Sequence, residues 1–176
     1  EGIEVNGVGN VICYNQITHF ADAISVYRGA SDCDVYNNNA IHHGDDAIEV
    51  DYSGPNTRIF DNRFSYTGAN GISFQPYVGG PCYVVRNLVF NVDENTVKDR
   101  YGARGAVFIN NTMVAYRANS IIRYAFARNN LFITDGGQAL RYHAEDLKRN
   151  PRTLDLDHNG YNAKLAAHKY QRYGKA

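Results

Sequence analysis

The sequence predicts an all-β solenoid, a chain wound into stacked coils of three short strands each. Two ladders of residues carry this reading. An asparagine recurs at Asn15, Asn39, Asn62, Asn87, Asn111 and Asn130, at steps of 24, 23, 25, 24 and 19 residues and flanked by apolar positions. A second ladder, Ile3, Ile24, Ile48, Ile72 and Val97, steps by 21, 24, 24 and 25. A repeat of about 20–50 residues marks a quasi-one-dimensional stack rather than a single closed core.

The first strand of each coil begins at the isoleucine ladder. Its next inward position is Val5, Val26, Val50, Phe74 or Asp99, so the segment alternates as a strand with one buried face does. The second strand precedes the asparagine, as in Val11-Ile12-Cys13, Val35-Tyr36, Arg58-Ile59-Phe60, Tyr83-Val84-Val85 and Val107-Phe108-Ile109. The third follows it, with Ile17, Ile41, Phe64, Val89 and Met113 as the apolar residues. Three such strands cannot bury a core alone, but stacked coils pair each strand with its equivalents ~4.8 Å above and below. The asparagines fit the turn between strands. Their amides bond to backbone groups the turn leaves unpaired, and asparagine tolerates a left-handed backbone. Coils are expected over residues 1–143. Residues 144–176 read as an irregular tail, with charge over 144–152, turn chemistry from Asp155 to Asn162, and a helix-like stretch from Ala163 to Arg172 that suits a cap or a junction to a further domain.

The 176 residues suffice for roughly six or seven coils. Lys+Arg and Asp+Glu balance at 18 each, so bulk charge predicts no nucleic-acid or membrane partner, and no apolar run is long enough to span a bilayer. No leader-like segment opens the chain and Met113 is the only methionine, so residue 1 reads as the start of a fragment or a matured form. The first residues already lie in strand register, and an uncapped solenoid end invites end-to-end or edge association. Cys13, Cys33 and Cys82 are odd in number and lack metal-site spacing, which predicts free interior thiols.

The motifs Gly2-Ile3-Glu4-Val5, Asp46-Ala47-Ile48-Glu49-Val50, Asn70-Gly71-Ile72-Ser73-Phe74 and the Asn-x-apolar turns resemble the right-handed parallel β-helix, the pectate-lyase-like fold, over residues 1 to about 143. Gly79 to Asn87 is similar to an element of bacterial secreted β-helix proteins. The resemblance implies a polysaccharide partner and a secreted, cell-surface or periplasmic location, with no organic cofactor.

Two constellations could carry chemistry. Residues between the inward positions of the first strand point outward and stack as Glu4, Ser25, Glu49, Ser73, Lys98 and Arg123; the neighbouring column is Asn6, Tyr27, Asp51, Gln75 and Arg100. The face is acidic in early coils and basic in late ones, which suits β-elimination on an acidic, uronate-containing polysaccharide. Calcium held by Glu49 and Asp51, with Asp46 near, would neutralise the uronate carboxylate. Lys98 would remove the adjacent proton, and Arg100 and Arg123 would tune it or bind carboxylates. Tyr27, Ser73 and Gln75 would contact substrate. As an outward lysine, Lys98 is expected to carry little packing. The arrangement is similar to the E-x-E calcium ligands with downstream Lys and Arg of some β-helix lyases, although the second acid here is Asp and Ser25 stands where an Asn ligand is usual. A cross-coil salt-bridge ladder on a solvated face accounts for the same residues without chemistry.

The second constellation is the turn entering the first strand, where Asp22, Asp46, Asn70 and Asn95 stack beside Asp45. It resembles polygalacturonase-type hydrolases, whose successive coils carry N-T-D, D-D, G-H-G and R-I-K. Here these read Phe20-Ala21-Asp22, Asp45-Asp46, Ala69-Asn70-Gly71 and Thr96-Val97-Lys98, without the His and the Arg. An inverting hydrolase needs carboxyls ~6.5–9.5 Å apart, for which Asp22 with Asp45 is the better pair. Ordinary turn residues are the competing account. His19, His42 and His43 lie near these acids, and at most one of the adjacent pair faces the same site. The leading reading is a polysaccharide lyase; the alternatives are a polygalacturonase-like hydrolase using Asp22, Asp45 and Asp46, and a non-catalytic carbohydrate-binding or scaffold module.

Overall fold

The computed structural model describes residues 1–77, 79–135, 137–141 and 154–163. Within them the chain is a parallel β-solenoid with no helix. Three parallel sheets run along the stack. The first contains Ile3–Val5, Ile24–Val26, Ile48–Glu49, Ile72–Phe74 and Val97–Asp99. The second has seven strands, from Val11–Cys13 to Leu154–Asp157, and the third seven, from Gln16–Thr18 to Gly160–Ala163. Ala118–Ser120 pairs with Gln138–Arg141 as a small fourth sheet, and a bridge from Asn95 to Ala118 continues the line of the first.

The first-sheet register follows the repeat. Ile3, Ile24, Ile48, Ile72 and Val97 are rung partners, and so are Glu4, Ser25, Glu49, Ser73 and Lys98. Alternation sends the isoleucines inward, where Ile24, Ile48 and Ile72 are fully buried against Phe64, Phe74 and Phe108. At roughly 25 cal/mol per Å² of apolar surface, such a continuous column is what holds the coils together. Cys33 and Cys82 are buried and all three cysteines are free, but Cys13 lies half-buried on the outside of the second sheet.

The asparagine ladder runs one residue away from the expected position in the second coil. Asn38, not Asn39, joins Asn15 to Asn62. Asn15 Nδ2 donates to Asn38 Oδ1 at 2.9 Å, and Asn38 Nδ2 to Asn62 Oδ1 at 3.0 Å. The chain of amides continues through Asn87, Asn111 and Asn130 to Asn159. Each ladder residue is preceded by one in the left-handed region: Tyr14, Asn37, Asp61, Arg86, Asn110, Asn129 and His158. In the run Asn37-Asn38-Asn39 the first takes that bend, the second enters the ladder, and the third opens the strand Asn39–His43. The inward residue is accordingly Ala40 rather than Ile41.

Two further expectations change. Arg123 does not stack over Lys98: it bridges Arg104. The first-sheet line steps by 23 from Asn95 to Ala118 and the coil then shortens to 19 from Arg104 to Arg123, so the step of 25 counted from Lys98 overshoots. The coils also continue past residue 143, because Leu154–Asp157 stacks on Ala125–Arg128 and Gly160–Ala163 on Leu131–Thr134. The turn chemistry between Asp155 and Asn162 is the asparagine turn of one more coil. The helix-like stretch beginning at Ala163 lies, from residue 164, outside the described residues.

Candidate functional site

The turn from the third sheet into the first carries a ladder of its own. Asp46 N donates to Asp22 Oδ1 at 2.9 Å. Asn70 donates from both N and Nδ2 to Asp46 Oδ1, each at 2.9 Å, and Asn95 donates likewise to Asn70 Oδ1 at 3.3 and 3.2 Å. Asp46 is fully buried, and its second oxygen accepts from Lys98 Nζ at 2.9 Å. A buried carboxylate needs all of these partners, because an unpaired one costs several kcal/mol.

That ion pair joins the two constellations. Lys98 stands on the outward first-sheet column but reaches back across two coils to the turn column, and its side chain is only 13% exposed. The expectation of a lightly packed lysine therefore gives way to one tied to a buried charge. Burial alone would push the Lys98 ammonium down, but the bond and charge of Asp46, with Asp45 and Asp51 beyond, hold it above the usual lysine range. A lysine base needs the opposite surroundings, cationic or apolar.

Around Lys98 the carboxyls crowd. The oxygens of Glu1, Asp22 and Glu49 lie within 4.8 Å of one another, and so do those of Asp22, Asp45 and Asp46. Glu49 is half-buried; burial first, then the charges of Asp22, Asp51, Asp46 and Glu1, push its carboxyl up to about 8. Asp51 is nearly buried and is raised by burial to about 6, although Ser73 Oγ donates to its Oδ1 at 2.8 Å and Lys98 lies near. Burial also raises Asp22, against the backbone bond from Asp46. Asp45 is raised by partial burial and by Asp46 and Asp22.

The remaining expected residues fall as follows. Ser73 is buried and donates to Asp51, so it supports the acid rather than facing outward. Gln75 is half-buried and its backbone bonds Asp51. Tyr27 packs edge-on to Tyr52 at 6.2 Å at the rim of the sheet, with the Arg28 guanidinium over both rings. Arg100 is exposed beyond the end of its strand, and Arg123 belongs to a different column. His43 is buried, with Nε2 3.2 Å from the Ile17 carbonyl, while His42 is exposed; both nevertheless line one groove, because the left-handed bend at His42 breaks the strand alternation expected to part them. Glu1 was not foreseen in the cluster; it precedes the first-strand motif and carries no repeat signal.

The donor chemistry fits a hard cation. Carboxylate oxygens only, close together and half-buried, are what calcium takes, and a bound cation would offset the crowding that raises these carboxyls. The oxygen triples brought together are those of Glu1, Asp22 and Glu49 and of Asp22, Asp45 and Asp46, while the charge of Asp51, the expected partner of Glu49, is felt at Glu49.

Fold and ladders together define the chain as a parallel β-solenoid, an architecture compatible with a carbohydrate-active module. Comparison with protein-family models, curated proteins and solved structures returns no match.

Proposed function

We propose that the protein is a carbohydrate-active module that cleaves an acidic polysaccharide at the acidic cluster on the first sheet, by hydrolysis. The observation that carries this is Glu49, a carboxyl held up to about 8 beside Asp22. A carboxylic acid that stays protonated near neutral pH is what protonation of a glycosidic oxygen requires. In this reading Glu49 gives its proton to the leaving oxygen while the Asp22 carboxylate bonds to the anomeric carbon. Water then displaces Asp22, and Glu49, now a carboxylate, takes the water's proton. Asp22 and Glu49 oxygens within 4.8 Å favour this retaining scheme, whose carboxyls lie ~5–5.5 Å apart, over the inverting one. Asp22 and Asp45 also bring one oxygen each within 4.8 Å, nearer the retaining separation than the ~6.5–9.5 Å of the inverting pair expected from sequence. Lys98 is the cation a uronate would meet among these carboxyls, with its charge shared with Asp46.

Elimination is the second reading, favoured by the oxygen set of Glu1, Asp22 and Glu49, which suits calcium. It is the weaker because its base, Lys98, is held protonated by its acidic neighbours.

The experiment is digestion of polygalacturonate with and without calcium or chelator. New reducing ends without the ultraviolet absorbance of an unsaturated uronate, lost in Glu49→Gln, support hydrolysis. That absorbance, abolished by chelation, moves the assignment to the lyase. Binding without cleavage leaves a carbohydrate-binding module, and neither binding nor cleavage leaves a scaffold.

A further inference from the structure

Beyond the turn that carries the acids, the third sheet ends in an open groove of about 640 Å³. Its construction is readable rung by rung. The strands Asn39–His43, Arg63–Thr67 and Leu88–Val92 each contain one left-handed residue next to their last: His42, Tyr66 and Asn91. That bend turns the side chain off the strand. On successive coils the column reads ring, ring, amide, and the His42 and Tyr66 rings lie 5.0 Å apart, tilted by 32°. Immediately after these strands come Gly44, Gly68 and Asp93, and after the next strand Tyr116; the backbone bonds Gly68 N to His43 O, Asp93 N to Thr67 O and Tyr116 N to Val92 O put the last three in step. A side chain at Gly68 would press on the Gly44 carbonyl at 2.5 Å, so this column stays bare over two coils and forms the floor. Where Asn91 and Asp93 replace ring and glycine, the ladder of rings is interrupted. Tyr66 stands before the gap and Tyr116 after it, 47% and 66% exposed.

Two further observations concern polarity. His43 and Thr67 line the groove on adjacent rungs, are 4% and 2% exposed, and keep His43 Nδ1 and Thr67 Oγ1 without a hydrogen bond. The Ile17 and Phe20 carbonyls both face the His43 ring, but only Ile17 reaches bonding geometry. Buried polar atoms without partners are rare in native folds, so the floor is under-satisfied. Burial also keeps His43 below the usual histidine range, hence neutral near pH 7. Among the described residues no lysine or arginine lines the groove, and Asp93 is the one carboxylate that does.

The geometry points to a second saccharide-binding site in this groove, distinct from the acidic cluster, that takes a neutral oligosaccharide lying along the solenoid axis. Tyrosine rings offer apolar faces with polar edges, the pairing that suits a sugar's C–H face and its hydroxyls. Asn91 and Asp93 between them offer amide and carboxylate acceptors for hydroxyl protons. A single negative charge without a cation disfavours uronates, phosphates and nucleic acids. Four consecutive rungs at ~4.8 Å each give a length of roughly 15 Å, room for a short oligomer rather than one ring. The site does not depend on the acidic cluster being catalytic.

The test is titration of the intact chain with cellohexaose, xylohexaose, mannohexaose and hexagalacturonate, followed by calorimetry and by tyrosine fluorescence, which is unobscured because the chain has no tryptophan. At least one neutral hexaose should bind, and Tyr116→Ala should weaken it by about tenfold or more. Tyr66→Asn should do the same while respecting the left-handed backbone that Asn91 already adopts one coil on. Glu49→Gln should leave this binding unchanged, which separates it from the acidic cluster. Circular dichroism should be that of the parent in each variant, since both tyrosines are exposed. The proposal is overturned if no neutral hexaose binds, if binding survives loss of either tyrosine, or if hexagalacturonate binds as well as the neutral probes with the same dependence on Tyr116.

Discussion

The two turn ladders solve one problem with opposite polarity. Between the second and third sheets, each asparagine donates from N and Nδ2 to the Oδ1 of the next coil, from Asn15 through to Asn159. Between the third and first, the donation runs backwards, from Asn95 to Asn70 to Asp46 to Asp22. An aspartate can accept but cannot donate, so it fits only where a ladder ends in acceptors. Asp22 and Asp46 occupy that end, and asparagine fills the donor rungs. The neutral ladder is scaffold alone. The charged one leaves a carboxylate oxygen over, and Lys98 answers it, which is how a structural turn becomes an electrostatic site.

The comparison is broken most severely at the ion pair. Lys98→Met leaves Asp46 buried and unpaired, and should lower unfolding free energy by about 3–5 kcal/mol in urea titrations. The double variant Lys98→Met/Asp46→Asn turns that rung into the neutral kind and should recover most of the loss. A double variant as unstable as the single one would show that packing of the lysine stem, not charge, was lost.

Next comes the neutral ladder. Asn87→Ala should cost about 1–3 kcal/mol, because Asn87 is buried and bonds the Ile59 and Val85 carbonyls as well as Asn111. Asn87→Asp should cost more than Asn87→Ala, since it sets a carboxylate against those carbonyls. Equal midpoints for the two would refute the polarity argument.

Smaller is the pH effect. Glu49 keeps its proton in the folded chain up to about 8, whereas in the unfolded chain it ionises near the ordinary value of 4.5. The native state therefore binds more protons between those values, and stability should fall as pH rises across that window. Glu49→Gln should flatten the slope in denaturation curves recorded at several pH values. If Glu49 is the acid of hydrolysis, the rate should also fall as pH passes about 8.

Smallest is Asn39→Ala, read beside Asn38→Ala as its ladder control. Asn38→Ala should behave like Asn87→Ala, and Asn39→Ala should cost less than half as much by the same titration.

That last pair marks where the sequence ran short. The isoleucine ladder gave the first-sheet register rung for rung, because its spacing is regular and its residues are apolar throughout. The second coil offered three asparagines in a row, and Ile41 looked a better inward residue than Ala40; only the left-handed bend at Asn37 decides between them. Arg123 was misplaced because steps of 23 and then 19 residues break the count. The acids other than Glu1 were named from the sequence, yet as two separate sites. Strand arithmetic gives the rung a residue occupies, not the reach of its side chain, and Lys98 crosses two coils to Asp46. Likewise Ser73 sits on an outward column and is still buried, its hydroxyl donated to Asp51, two residues past its rung partner Glu49 in the preceding coil.

The backward ladder also sets a chemical lifetime. Asn70 is followed by Gly71, the neighbour that least obstructs attack of the backbone nitrogen on a side-chain amide and its slow conversion to a carboxylate. At an exposed loop that change adds one charge and little else. At Asn70 it removes the Nδ2 donor from Asp46 and sets a third acid in line with two others, against a carboxylate that has no solvent to turn to. The ageing of one amide would thus be felt as repulsion between coils, and the hydrogen bonds that hold Asn70 in place are what keeps that clock slow.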